Sequence, residues 1–134
     1  MRSLFHDVSK TSPRRLRKLL TFQVNSKPRD ESGGYGEDWS TAFTVRGSLE
    51  PFSGEEVMPV DWTVSLNQFR AVIYRRPDVT TQMRILMFGV PDELLDQKTA
   101  DITRAGYRAF LVIVAPQISA EDRFMEVYCE EVKS

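Results

Sequence analysis

The sequence is poor in the residues from which most catalytic and metal centres are built. It holds one cysteine, Cys129, and one histidine, His6, in 134 residues. A lone cysteine excludes an intramolecular disulfide and fits a reducing compartment. One residue of each type cannot make a Cys/His zinc cluster, and a Ser-His-Asp triad would have to be built on His6. Long apolar runs are lacking too. The longest, AFLVIVA at 109–115, is strand-sized, far below the roughly 20 residues of a membrane span. The opening MRSLFHDVSK shows no apolar signal-peptide core, so a cytosolic product is expected.

Glycine is also scarce, yet three of the seven glycines crowd into DESGGYGEDW at 30–39. A phosphate loop would need a Lys and a Ser or Thr after the last glycine. Here Glu37 and Asp38 follow instead, and their charge repels phosphate. A dinucleotide fingerprint fails as well, because Trp39 stands where its third glycine belongs. The stretch is read as a turn between two strands, with glycine supplying positive φ. The acidic pairs Glu55–Glu56 and Glu130–Glu131 sit on extended chain, where neighbours point to opposite faces, and are read as solvated surface. Nothing in the chain calls for a metal, a cofactor or catalysis, and the expectation is that it is not an enzyme.

What is present is the composition of one folded domain: 41% hydrophobic and 28% charged residues, with a net charge of −1. The charge is unevenly spread. Residues 1–18 carry Arg2, Lys10, Arg14, Arg15, Arg17 and Lys18 against Asp7, a net of +5. Residues 121–134 carry Glu121, Asp122, Glu126, Glu130 and Glu131 against Arg123 and Lys133, a net of −3. Residues 1–18 are therefore read as a basic N-terminal arm and residues 19–134 as the domain itself. The arm's densest part, Arg14, Arg15, Arg17 and Lys18, is a candidate contact for DNA phosphates or for an acidic neighbouring subunit, with a solvated basic face as the plainer reading.

Along the domain, apolar alternation marks strands. Leu20, Phe22 and Val24 alternate with polar residues in LTFQV, and WSTAFTVRGSLE (39–50) extends the pattern, its Gly47 suggesting a bulge or sharp bend. Residues 51–65, PFSGEEVMPVDWTVS, read as a long loop. In LNQFRAVIYR (66–75), Phe69, Ala71 and Ile73 share one face while Arg70, Val72 and Tyr74 share the other. MRILMF (83–88), YRAFLVIV (107–114) and RFMEVYC (123–129) complete the set, with Met125, Val127 and Cys129 facing one way. Between Gly89 and Gly106, Asp92 is placed as the cap of a short helix built on Leu94, Leu95 and Ile102. In the arm, Thr11 or Ser12 could cap a helical turn with Pro13 in its first position. Trp39 and Trp62 are expected as core or interface anchors. The fold class is mainly β: a small antiparallel β-barrel of about six strands, with a long loop after the second strand and one or two short helices.

Several of these stretches in this order resemble a known family. LTFQV, the D-x-x-GG-x-x-E-x-W of Asp30–Trp39, the run RGSLEPFSGE (46–55), the segment FRAVIYRRPDVTTQMRILM and the closing RFMEVYCEE are together similar to the head-completion, or stopper, proteins that join head and tail in long-tailed phages. The resemblance covers about Leu19–Glu131, and against it residues 89–106 stand out as an insertion. It implies a small β-barrel that assembles as a dodecameric ring beneath the portal and adaptor proteins. In the virion neck such a ring retains packaged DNA and offers the surface to which a tail-completion protein docks, assembly taking place in the host cytoplasm. It implies further that the long loop faces the channel or an adjacent ring, through Phe52, Ser53, Gly54, Glu55, Glu56 and Val57, with Met58 and Trp62. A heterologous ring contact requires two complementary faces, and the basic arm and acidic C-terminal edge are candidates for them. Two other readings stay open: a tail-terminator protein, and a small nucleic-acid-binding barrel using the arm and the Phe69–Arg70 and Tyr74–Arg75 pairs.

Overall fold

A computed structural model describes residues 16–27, 36–51, 67–114 and 123–133. Six strands form a closed antiparallel barrel: β1 (Lys18–Asn25), β2 (Trp39–Pro51), β3 (Gln68–Tyr74), β4 (Met83–Met87), β5 (Ala109–Val114) and β6 (Phe124–Glu131), in the order β1-β2-β3-β6-β5-β4 around the wall. The expected class is the observed one. Closure leaves none of the six with an unpaired edge.

The alternation read from the sequence becomes the inside of the barrel. Leu20 and Phe22 of β1, Ala71 and Ile73 of β3, Ile85 of β4, Phe110 of β5, and Val127 and Cys129 of β6 are all fully buried in one core. The rings of Phe69 and Phe110 meet edge to face with centroids 5.1 Å apart, and Phe22 stacks on Phe43 at 4.8 Å. Burial pushes the Cys129 thiol far up, with the nearby Glu131 charge adding to the shift. Its Sγ–H is directed at the Phe69 carbonyl at 3.6 Å. It behaves as a small core hydrophobe rather than a nucleophile.

At each end of the barrel an arginine lies on an aromatic ring. At one end the Arg108 guanidinium sits 5.3 Å from the Phe69 ring and 5.0 Å from Phe110, and Glu131 binds it at 2.7 Å. At the other, Arg76 lies 3.6 Å from the Phe43 ring and is held by both oxygens of Asp78 at 2.9 and 3.0 Å. Such contacts let a cation cover apolar surface while its head stays partly in water.

The long strand β2 serves two neighbours. Its first part pairs with β1 and its last part with β3, and Gly47 belongs to both ladders, opposite Lys18 and Ile73. A Cβ there would lie 2.8 Å from the Val72 carbonyl oxygen and from Ile73 Cγ2, and 2.9 Å from Leu20 Cδ1. The glycine therefore marks a close approach of strands. The ladder irregularity itself falls elsewhere, between Phe22 and Gln23 in the β1–β2 register. Gly47→Ala should destabilise the fold by about 1–3 kcal/mol, because the clashing atoms include backbone. A urea midpoint within error of the unsubstituted chain would refute this close approach.

The β4–β5 connection carries a short 3-10 turn, Asp92–Leu94, and one short helix, α1 (Thr99–Arg104). Asp92 does not cap either element through its side chain. It lies within the 3-10 turn, and the side-chain acceptor at the start of α1 comes from Glu37. The connection packs on the outside of the barrel, where Ile102 joins Leu86 and Ala109, with Val90, Leu94, Leu95 and Tyr107 around them. The expected helical turn near residues 11–13 and the glycine turn at 30–35 lie outside the described residues. The stem of that turn is visible: Asn25 Oδ1 accepts from the Lys27 and Asp38 amides, and Asn25 Nδ2 donates to the Gly36 carbonyl.

Candidate functional site

Antiparallel closure decides which ends of which strands come together. Lys18 at the start of β1, Pro51 at the end of β2, Gln68 at the start of β3, Met87 at the end of β4, Ala109 at the start of β5 and Glu131 at the end of β6 all face one end of the barrel. The 52–66 connection therefore leaves and returns at the end where β1 begins. Lys18 Nζ donates to the Leu49 carbonyl at 3.4 Å, tying the start of β1 to the last part of β2. Of the sequence candidates, Arg17 and Lys18 are exposed here. Arg14, Arg15 and the loop residues Phe52, Ser53, Gly54, Glu55, Glu56, Val57, Met58 and Trp62 lie outside the described residues. Leu16, just before Arg17, is buried on the outer wall against Val72 and Phe124.

Three residues of this end were not anticipated. Phe88 follows β4 with 74% of its surface exposed. Its amide donates to the Leu19 carbonyl at 3.0 Å, which fixes it beside the root of the arm, and Gly89 next to it has φ +111°. Arg108 and Lys133 flank the mouth, both bound to Glu131. Strand parity was the available signal for Phe88: with Met83 and Ile85 inward, the even-numbered residues of MRILMF point out. A Phe this exposed on a small barrel is a candidate anchor for another surface.

The acidic C-terminal edge differs from its reading as free surface. Glu131 is buried, and hydrogen bonds from Arg108 hold its carboxyl below the usual range, against the opposing effect of burial. Glu126 is half-buried beside Arg70 and the Tyr128 hydroxyl. Only Glu130 of the described acidic residues there is exposed. The strand face proposed for nucleic acid is likewise divided: Phe69 points into the core, while Arg70 is buried on the outer wall and bound to Glu50 at 2.9 Å.

The outer wall of β1 and β4 holds a buried polar cluster. Arg84 has no exposed surface. Its Nε donates to Gln23 Oε1 at 2.8 Å, Nη1 to Thr99 Oγ1 at 2.9 Å, and Nη2 to the carbonyls of Leu95 and Gln97 at 3.2 and 2.9 Å. The guanidinium also lies 4.3 Å from the Trp39 ring. Glu37 Oε1 accepts from Trp39 Nε1, from the Thr99 amide and from the Thr99 hydroxyl, all within 3.0 Å. The GG–E–W stretch therefore lends its glutamate and tryptophan to a structural junction. Burial pulls Arg84 down to about 10, with Glu37 opposing the change, so the residue stays charged at neutral pH.

Burial alone would raise the Glu37 carboxyl, but the bonds from Thr99 and Trp39 outweigh it, Arg84 adds to them, and the net shift is downward. A depressed carboxyl stabilises the fold above its unfolded value and ceases to do so as pH falls through the folded one. Acid should therefore weaken the attachment of α1, on the low side of the ordinary carboxylate range. Following the Trp39 environment by fluorescence during acid titration checks this, and a Glu37→Gln chain should lose that component of the titration.

Among the described residues no group of three or more His, Cys, Asp or Glu is placed to hold a metal, and no helix is long and apolar enough to cross a membrane. No curated protein matches the sequence at a significant level. The fold is similar to the solution structure of protein SF1141 from Shigella flexneri 2a, at 23% identity and a TM-score of 0.60, over 94% of this chain and 96% of that one. It is also similar to a chain in the virion of a native gene transfer agent particle, at 19% identity and a TM-score of 0.52, over 90% and 98%. At these identities the likeness is one of fold. The sequence itself matches the family model described as phage head completion protein over residues 11–132, which include every strand of the barrel. The chain belongs to the phage head completion protein family.

Proposed function

We propose that this protein is a structural, non-enzymatic subunit of the virion neck, forming a ring under the portal and adaptor that retains packaged DNA and presents the tail attachment surface. Family membership gives the coarser role, a structural part in completing a phage head. The finer reading is supported by one geometric observation: the start of β1, both ends of the 52–66 connection and the exposed Phe88 converge on a single end of a barrel whose interior is filled by side chains. A filled barrel offers partners its ends and its outer wall. In the similar chain, the surrounding particle is a gene transfer agent virion, which fits a place among other virion proteins.

In this reading residues 1–18 act as an arm on a barrel domain spanning 19–134, and the basic residues Arg14, Arg15, Arg17 and Lys18 meet a neighbouring subunit or DNA phosphate. The loop residues 52–58 and Trp62 face the channel or the next ring. Assembly occurs in the host cytoplasm.

Phe88→Asp separates partner contact from folding. Because Phe88 is largely in water, the change should alter stability by no more than about 0.5 kcal/mol. It should nevertheless abolish rescue when purified protein is added to DNA-filled heads made without it, while the unsubstituted chain restores tail joining. Full rescue by Phe88→Asp would remove this end of the barrel from the contact surface. A purified chain that already forms a stable ring in solution would favour the tail-terminator reading.

A further inference from the structure

The segment between β4 and β5 combines three features that no assembly role requires. It begins and ends at Gly89 and Gly106, whose φ values of +111° and +98° are the positive ones among the described residues, with open space around each. Its one helix, α1, has six residues, too few to persist without outside support. That support is a buried polar cluster as well as an apolar contact: Arg84 grips the Leu95 and Gln97 carbonyls and the Thr99 hydroxyl, while Ile102 covers Leu86 and Ala109.

We propose that residues 90–105 form a latch that opens and closes on the outer wall as a unit, with Glu37 as its catch. The catch belongs to a different part of the chain. Glu37 sits in the stem of the β1–β2 connection, between Gly36 and Asp38, which Asn25 binds through its side chain. From there Glu37 accepts the Thr99 amide and hydroxyl, and Thr99 in turn accepts from Arg84. A displacement of the stem therefore removes, in one step, the side-chain acceptor at the start of α1 and the nearby countercharge of a buried guanidinium. Groups that share one network release together rather than singly. The geometry couples the described stem of the β1–β2 connection to the outer wall across residues that are distant in sequence. The coupling is a property of the isolated chain and does not depend on the head-completion reading.

Hydrogen exchange followed by mass spectrometry on the full-length protein tests it. In the unsubstituted chain, the amides of Thr99, Ile102 and Ala105 should exchange together, and faster than those of β3 and β6. Glu37→Ala should accelerate them by about ten-fold or more, the effect of losing hydrogen bonds to a charged group, while β3 and β6 keep their protection. Equal acceleration of the segment and all six strands would overturn the latch, as would an unchanged rate in the segment. Should Glu37→Ala fail to fold, Thr99→Val, which removes the hydroxyl between Arg84 and Glu37, must show the same selective acceleration, and its absence is equally decisive against the proposal.

Discussion

Replacing Arg84 with alanine should destabilise the fold by about 3–5 kcal/mol, the range for breaking a buried, hydrogen-bonded charge network by removing one member. The guanidinium is fully buried and supplies four hydrogen bonds. Its loss removes one donor from each of the Leu95 and Gln97 carbonyls, of which Leu95 keeps its bond from Gln23 Nε2, and leaves Gln23 Oε1 without this partner. It also empties the space over the Trp39 ring. Arg84→Lys should recover only part of the loss, because an ammonium lacks the planar fork that reaches Gln23, Thr99 and two carbonyls at once. Urea unfolding followed by Trp fluorescence and by circular dichroism measures both substitutions. An Arg84→Ala chain within about 1 kcal/mol of the unsubstituted one would mean that the cluster does not hold the β4–β5 connection to the barrel.

This residue also shows where sequence reading stops. LTFQV, FRAVIY and MRILM announced strands because their inward positions are apolar at period two, and the inward sets Leu20–Phe22, Ala71–Ile73 and Met125–Val127–Cys129 are those of the core. Arg84 stands in such a strand as an outward charge, and nothing local tells a solvated arginine from a buried one. Its partners come from residues 23, 95, 97 and 99, and their convergence is a product of barrel closure. Glu37 presents the same difficulty. As an acidic residue after the glycines it was read against a phosphate loop, and its role at the start of α1 depends on a segment far along the chain.

Asp92 was the local choice for a helix cap, and tertiary structure provided a different side chain. Glu131 looked like surface because adjacent acids on a strand diverge. They do diverge, and the one that turns toward the barrel mouth meets Arg108 and Lys133. Gly47 was legible as a special position, although the reason, the close approach of β3, required the register. At the candidate face, the arm and the long loop were recognised separately. That the start of β1 and both ends of the 52–66 connection share one end follows from the strand order.

The larger biological effect concerns the particle. In the assembly reading, the chain is the piece that closes the head exit after packaging, and the barrel interior is packed with aliphatic side chains and the rings of Phe22, Phe69 and Phe110. In that reading, retention comes from subunits arranged side by side, with the start of β1 and both ends of the 52–66 connection at one end of each barrel. Removing the chain removes every such contact at once, whereas Phe88→Asp removes one anchor. The DNA content of heads assembled without this protein is therefore the most direct measurement. The account predicts heads that package DNA, lose it and remain tailless, with purified protein restoring both retention and tail joining. Heads that lack the protein yet keep a full genome and accept tails would contradict it.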